Sequence, residues 1–212
     1  MKVLRWLAAP SCAIFLALSA CANVQPGTYQ QAKEAYSKGQ YEEAHKIMKA
    51  LAEQGDANAQ NQLGMMFSDG ISRPLDYAQA KQWWEKAAAQ NHVNAIYHLG
   101  LLYENGWGVR PDYVIAVEWY AKAAELGQVN AMVNLAALYE SGKGVKRNHR
   151  KAAEWYEQAA EKGEVESQFK IGMMYLNGTG VKRNQAKAKH WLVKAAEQGD
   201  VKATSVLKKK RM

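Results

Sequence analysis

Apolar residues recur along most of the chain at helical rather than strand spacing. Ala59, Leu63 and Phe67 stand at i, i+4 and i+8, and Ala80, Trp83, Trp84, Ala87 and Ala88 form a second stripe of the same period. Both stripes return after a shift of 36 residues. That shift superposes Ala59, Ala95, Ala131 and Ser167, then Leu63, Leu99, Leu135 and Ile171, then Phe67, Tyr103, Tyr139 and Tyr175. Gly70, Gly106, Gly142 and Gly178 align next, followed by Ala80, Ala116, Ala152 and Ala188 and by Trp83, Trp119, Trp155 and Trp191. The pairs Ala87-Ala88, Ala123-Ala124, Ala159-Ala160 and Ala195-Ala196 keep the same register. A fixed period of this length marks a repeat architecture, here with units at residues 59–94, 95–130, 131–166 and 167–202.

Each unit predicts two amphipathic helices. The G-x-G stretch ends the first, and Asp76, Asp112, Asn148 or Asn184 is placed to cap the second by accepting a backbone N–H. The paired alanines permit close helix approach, with the Trp column filling the space beside them. One hairpin cannot bury both stripes, whereas stacked hairpins can, so the expected fold is all-α, an α-solenoid. Residues 28–58 read as an amino-terminal capping hairpin, and residues 203–212 begin another first helix that ends in basic residues. The first unit departs from the pattern, with Ile71-Ser72-Arg73-Pro74 where the others carry x-Gly-Val, so a differently shaped corner is expected there. Asn91 replaces a helix-closing glycine and tolerates the same left-handed conformation.

The stretch "NAIYHLGLLYENGWGVRPDYVIAVEWYAKAAELGQ", with its A…LG..Y..G.GV..D…A..W…AA..G signature, resembles a Sel1-like repeat, a relative of the tetratricopeptide repeat. The resemblance spans about residues 59 to 202 and recurs in all four units. It implies a right-handed superhelix that binds other proteins. A stack of first helices is expected to present a long concave face. Gln62, His98, Asn134 and Lys170 form one column on it, varied and polar where the packing columns are constant, a pattern that fits a surface reading a partner and plain solvated helix equally. The neighbouring column of Asn61, Tyr97, Val133 and Phe169 reads as core. Trp107, at a loop tip, is either a binding hot spot or a residue folded back on the adjacent unit.

The first residues change the picture of compartment. Lys2 and Arg5 precede an apolar run from Leu7 to Ala20, shorter than the ~20 residues a spanning helix needs. Residues 1–20 therefore read as a secretory signal. Leu18-Ser19-Ala20-Cys21 resembles the lipobox of bacterial lipoproteins, which implies acylation of Cys21 and a short tether over residues 21–27. In that resemblance Ala22 implies passage to the outer membrane, facing the periplasm. Cys12 would leave with the signal, so the mature chain is expected to hold no disulfide.

Charge adds a direction. The chain carries a formal +8, divided unevenly: residues 22–130 hold 9 basic and 12 acidic side chains, residues 131–212 hold 17 and 8. Arg110, Lys146 and Lys182 recur at the period, with Arg147 and Arg183 beside them. Such a ladder steers acidic partners. Nucleic acid is a poor candidate in a periplasm, leaving an acidic protein or anionic headgroups.

Motifs for chemistry are sparse. "NGTGVKRN" at 177–184 lacks the spacing and the Ser or Thr of a phosphate-binding P-loop, and its near-copies make it a repeated corner. Histidines 45, 92, 98, 149 and 190 show no ligand spacing, so neither metal nor cofactor is expected. Ser167-x-x-Lys170 and Ser205-x-x-Lys208 match the first motif of penicillin-recognising enzymes without the others, a remote pointer to β-lactam or peptidoglycan hydrolysis. The expectation is a non-catalytic scaffold. The resemblance implies either an immunity protein against a type VI secretion phospholipase effector or an envelope adaptor serving exopolysaccharide control, assembly or host interaction.

Overall fold

The computed structural model describes residues 27–211; the signal, the lipobox and most of the tether lie outside them. Eleven helices and no strand occur among the described residues. They are α1 (Tyr29–Ser37), α2 (Tyr41–Glu53), α3 (Ala57–Ser68), α4 (Tyr77–Ala89), α5 (Val93–Asn105), α6 (Tyr113–Glu125), α7 (Val129–Ser141), α8 (His149–Glu161), α9 (Val165–Asn177), α10 (Gln185–Glu197) and α11 (Val201–Lys210). Each packs chiefly on its neighbours in sequence, which is the contact pattern of a solenoid.

The corners follow the expected chemistry. Asp76, Asp112, Asn148 and Asn184 accept N–H bonds at the starts of α4, α6, α8 and α10. Their own N–H groups donate to the carbonyls of Phe67, Tyr103, Tyr139 and Tyr175 at 2.8–2.9 Å, closing each corner in the same way. Gly106, Gly142 and Gly178 end α5, α7 and α9 in the left-handed conformation. In the first unit Ser72 takes the place of the second glycine at φ 67°, a conformation costly for a residue with a Cβ. Arg73 then stands where Val109, Val145 and Val181 stand in the other units, and bonds Glu42 at 2.8 Å. Asn91 adopts φ 59°, as its place after α4 requires.

The deepest side chains are not those of the Trp column. Trp83, Trp119 and Trp155 are only partly buried and Trp191 is 6% exposed, whereas the next residues, Trp84, Tyr120, Tyr156 and Leu192, are 0–2% exposed. Each sits against a small residue on its own hairpin's first helix. A Cβ at Gly64 would stand 2.5 Å from Trp84, at Gly100 2.5 Å from Tyr120, and at Gly172 2.9 Å from Leu192. The third unit places Ala136 in the same cluster as Tyr156. Trp84 also donates its indole N–H to the carbonyl of Asn61 at 3.3 Å, which requires this close approach. The alanine columns work as expected: Ala59, Ala95 and Ala131, with Ser167, are fully buried, as are Ala80, Ala116, Ala152 and Ala188.

Buried glutamines tie successive hairpins in the outer units. Gln60 donates to the carbonyl of Ala52 and accepts from Gln90, and Gln168 does the same with Ala160 and Gln198. Ile96 and Met132 occupy that register in the middle units, where packing is apolar.

If helix approach is set by the small column, Gly100→Ala destabilises the fold by about 1–3 kcal/mol, because the methyl overlaps the Tyr120 ring. Urea unfolding followed by circular dichroism tests this. A Gly100→Ala variant with an unchanged midpoint and slope would show that α5 and α6 do not depend on that contact.

Candidate binding surface

The deep anchors create the platform for the polar column. His98 of α5 stacks on Trp84 of the preceding hairpin, centroids 5.0 Å apart and planes 22° apart. Asn134 of α7 lies beside the hydroxyls of Tyr97 and Tyr120. Lys170 of α9 stands over the Tyr156 ring at 5.8 Å. Three members of the column that the sequence marks as variable thus each cover the anchor of the unit before. Gln62, His98, Asn134 and Lys170 are all half-buried.

A second set of groups, which sequence reasoning missed, fixes this strip. Tyr120 donates its hydroxyl to Glu104 at 2.5 Å, and Tyr156 donates to Glu140 at 3.1 Å. Lys170 also reaches Glu140, at 3.4 Å. Burial, with the neighbouring carboxylate next in size, pushes the Tyr120 and Tyr156 hydroxyls well above the ordinary tyrosine range. The signal was available in the repeat register. Units with Tyr at the anchor carry Glu 16 residues earlier, while Trp84 is matched by Ser68 and Leu192 by Leu176. An acid appears only where a hydroxyl can bond it.

Beside this strip run Tyr97, Val133 and Phe169 with Met65, Leu101 and Met173, all partly buried against the core. Their apolar surface gives a partner something to cover.

The basic ladder lies elsewhere, on the corners. Arg110, Lys146, Arg147, Lys182 and Arg183 are exposed and make no ion pair among the described residues. Chain neighbours diverge, however. Lys182 lines a groove of about 730 Å³ with Arg150, Glu154, Glu157 and Lys187, whereas Arg183 lines a separate hollow with Lys210. Arg110 borders a third hollow beside Tyr113 and Gly144. Trp107 folds back and stacks on Tyr77 of the preceding unit, centroids 5.7 Å and planes 13° apart. Lys143, its counterpart one unit later, stands 5.2 Å over Tyr113 in the same manner. Cys21 lies outside the described residues.

The serine motifs do not form dyads. Ser167 is fully buried and its hydroxyl has no hydrogen-bond partner, while Lys170 is turned to Glu140. Ser205 is exposed on α11. No group of three potential metal-ligating side chains occurs among the described residues.

An α-solenoid with a constant frame and a varied strip defines a repeat scaffold, and the repeat can be identified. The Sel1 repeat family model matches residues 57–92, 93–128, 129–164 and 165–200, so the chain belongs to the Sel1-repeat family. These units begin with α3, α5, α7 and α9, two residues ahead of the alanine column. Among solved structures, a Sel1 repeat protein from Oxalobacter formigenes is 34% identical with a TM-score of 0.79, covering 83% of this chain and 72% of that one. A protective antigen present in uropathogenic Escherichia coli strains, displaying the SLR fold, is 42% identical with a TM-score of 0.72. That match covers 75% of this chain but only 34% of the E. coli protein, about a third of its length. A putative Sel1 repeat protein from Klebsiella pneumoniae is 25% identical with a TM-score of 0.53, covering 87% and 91%. Comparison with curated proteins found no match. Sel1 repeats are generally non-catalytic scaffolds for protein–protein binding.

His98 supplies a test of the strip. Its burial lowers its pKa from 6.5 to about 4, so it is neutral when folded. The unfolded chain takes up the proton first. The stability this contributes is therefore present above pH 6.5 and lost as pH falls toward 4, by roughly 2–3 kcal/mol at most. His98→Phe keeps an aromatic ring on Trp84 and should remove that part of the acid sensitivity, read from urea midpoints between pH 7 and 4. An identical pH dependence in both proteins would place His98 in water.

Proposed function

We propose that this protein is a non-catalytic binding scaffold at the periplasmic face of the outer membrane, held there by an acylated Cys21. The observation that carries the binding role is the strip of Gln62, His98, Asn134 and Lys170. Its chemistry changes at every unit while the small-residue columns that set the helix packing stay nearly constant. Asn134 and Lys170 both rest on a tyrosine anchor, so packing on the anchor does not by itself account for their difference, whereas reading a partner would. The neighbouring Tyr97, Leu101, Phe169 and Met173 supply apolar area, and the corner cations favour the approach of an acidic protein.

The finer role we propose is immunity: capture and neutralisation of a phospholipase effector delivered by a type VI secretion system. It is supported by the compartment that Leu18–Cys21 implies, where such an effector would arrive, and by a surface fitted for binding. Steric occlusion of an active site needs no chemistry from the inhibitor.

Affinity capture from periplasm with the purified protein tests the scaffold reading. Asn134→Arg with Lys170→Glu should weaken retention of a specific partner at least tenfold, since a few interface residues carry most of the binding energy. Reversal of Lys146, Lys182 and Arg183 to Glu should chiefly slow association and flatten its salt dependence. Undiminished capture by the strip variant would overturn the assignment. Release of Cys21→Ser from the membrane fraction in about 1 M salt, where surface charge is screened, with the unchanged protein retained, checks the anchor, and suppression of a purified phospholipase effector checks the immunity role.

A further inference from the structure

The ladder continues into a feature of different character. α11 follows the register of a first helix: Ala203 is buried, and Val206 and Leu207 pack against α9 and α10. At the positions that are buried in α9, however, it carries cations. Lys208 stands in the register of Gly172, Lys210 in that of Met174 and Arg211 in that of Tyr175. A second helix placed as α10 is on α9 would meet lysine where Gly172 admits Leu192. With Lys209, four consecutive cations encircle the helix end, all exposed and none paired with a carboxylate among the described residues.

They are held in place. Ala203 and Leu207 anchor the helix, and its carboxyl-terminal dipole favours positive charge there. The nearest acids in sequence, Glu197 and Asp200, lie toward the other end of α11, about 15 Å away along a ten-residue helix. From Lys182 to Arg211 the chain has ten cations against those two acids. Lys210 also faces Arg183 across a hollow of about 270 Å³ whose other lining residues, Leu176, Asn177 and Gln185, bring no carboxylate.

We propose that the carboxyl-terminal end of α11, with the Arg183–Lys210 hollow, docks on the headgroups of an anionic phospholipid bilayer. A protein interface would call for the aromatic anchors that dominate binding energy, and single-stranded nucleic acid for stacking rings; residues 200–211 contain no aromatic. A headgroup layer asks only for dense cations, each contributing about fivefold to partitioning near the surface. The docking is independent of the first-helix strip and of any acyl group.

The full chain carrying Cys21→Ser, so that no lipid contributes, is sedimented with vesicles of phosphatidylglycerol and phosphatidylcholine in equal parts, and with pure phosphatidylcholine. Binding is expected to the first only, and to vanish near 1 M salt, where screening shortens to roughly 3 Å. Replacing Lys208, Lys209, Lys210 and Arg211 by Gln should cost several hundredfold, with the helical signal and urea midpoint retained. Lys146→Glu should leave vesicle binding nearly intact, and the Gln variant should still capture a protein partner, which separates this docking from the proposed scaffold function. Equal sedimentation with both vesicle types, or undiminished binding of the Gln variant, would overturn the proposal. Retention of poly-glutamate or single-stranded DNA in preference to the anionic vesicles would do so as well.

Discussion

The structure depends on how closely the two helices of each hairpin approach. Gly64, Gly100, Ala136 and Gly172 leave room on the first helix for Trp84, Tyr120, Tyr156 and Leu192 from the second. Glycine inside a helix costs about 1 kcal/mol relative to alanine. Burial of a large side chain on the bare backbone offsets it, at roughly 1.5–3 kcal/mol for a residue of this size. Where Ala136 takes the position, the third hairpin accommodates one methyl group beside Tyr156.

That contact also builds the surface. Because the anchors penetrate between helices, their far sides form the floor on which His98, Asn134 and Lys170 rest. The Tyr–Glu bonds of the middle units then fix the rim. The strip is therefore neither plain solvated helix nor core. It is a row of half-buried groups resting on anchors that differ from unit to unit, over small-residue columns that hardly vary. The corner cations belong to loops closed by their own hydrogen bonds and can vary on separate terms.

Much of this was legible in the chain. The period located the helices, and Asp76, Asp112, Asn148 and Asn184 cap where their side chains required. The unusual corner at Ser72-Arg73 was visible as a break in the pattern, and the structure shows its consequence: an arginine bonded to Glu42 in the register of a packed valine. The anchors were harder to see. Trp83 and Trp84 are about 100° apart on one helix and both fall on its apolar stripe. Only the placement of α3 decides that Trp84 is the buried one. Trp107 stayed open for a similar reason, since Tyr77 is 30 residues away in sequence and directly beneath it in space.

By itself the sequence determined what repeats: helix positions, caps, corners, the family and the uneven spread of charge. These depend on local spacing and on side chains acting on their own backbone, so a period of 36 residues exposes them. Tertiary structure alone decided which of two adjacent aromatics becomes an anchor, that the varied column rests on the preceding unit, and that Lys182 and Arg183 part into separate hollows. Those outcomes depend on the rotation and distance of one helix relative to another, set by packing between residues far apart in the chain.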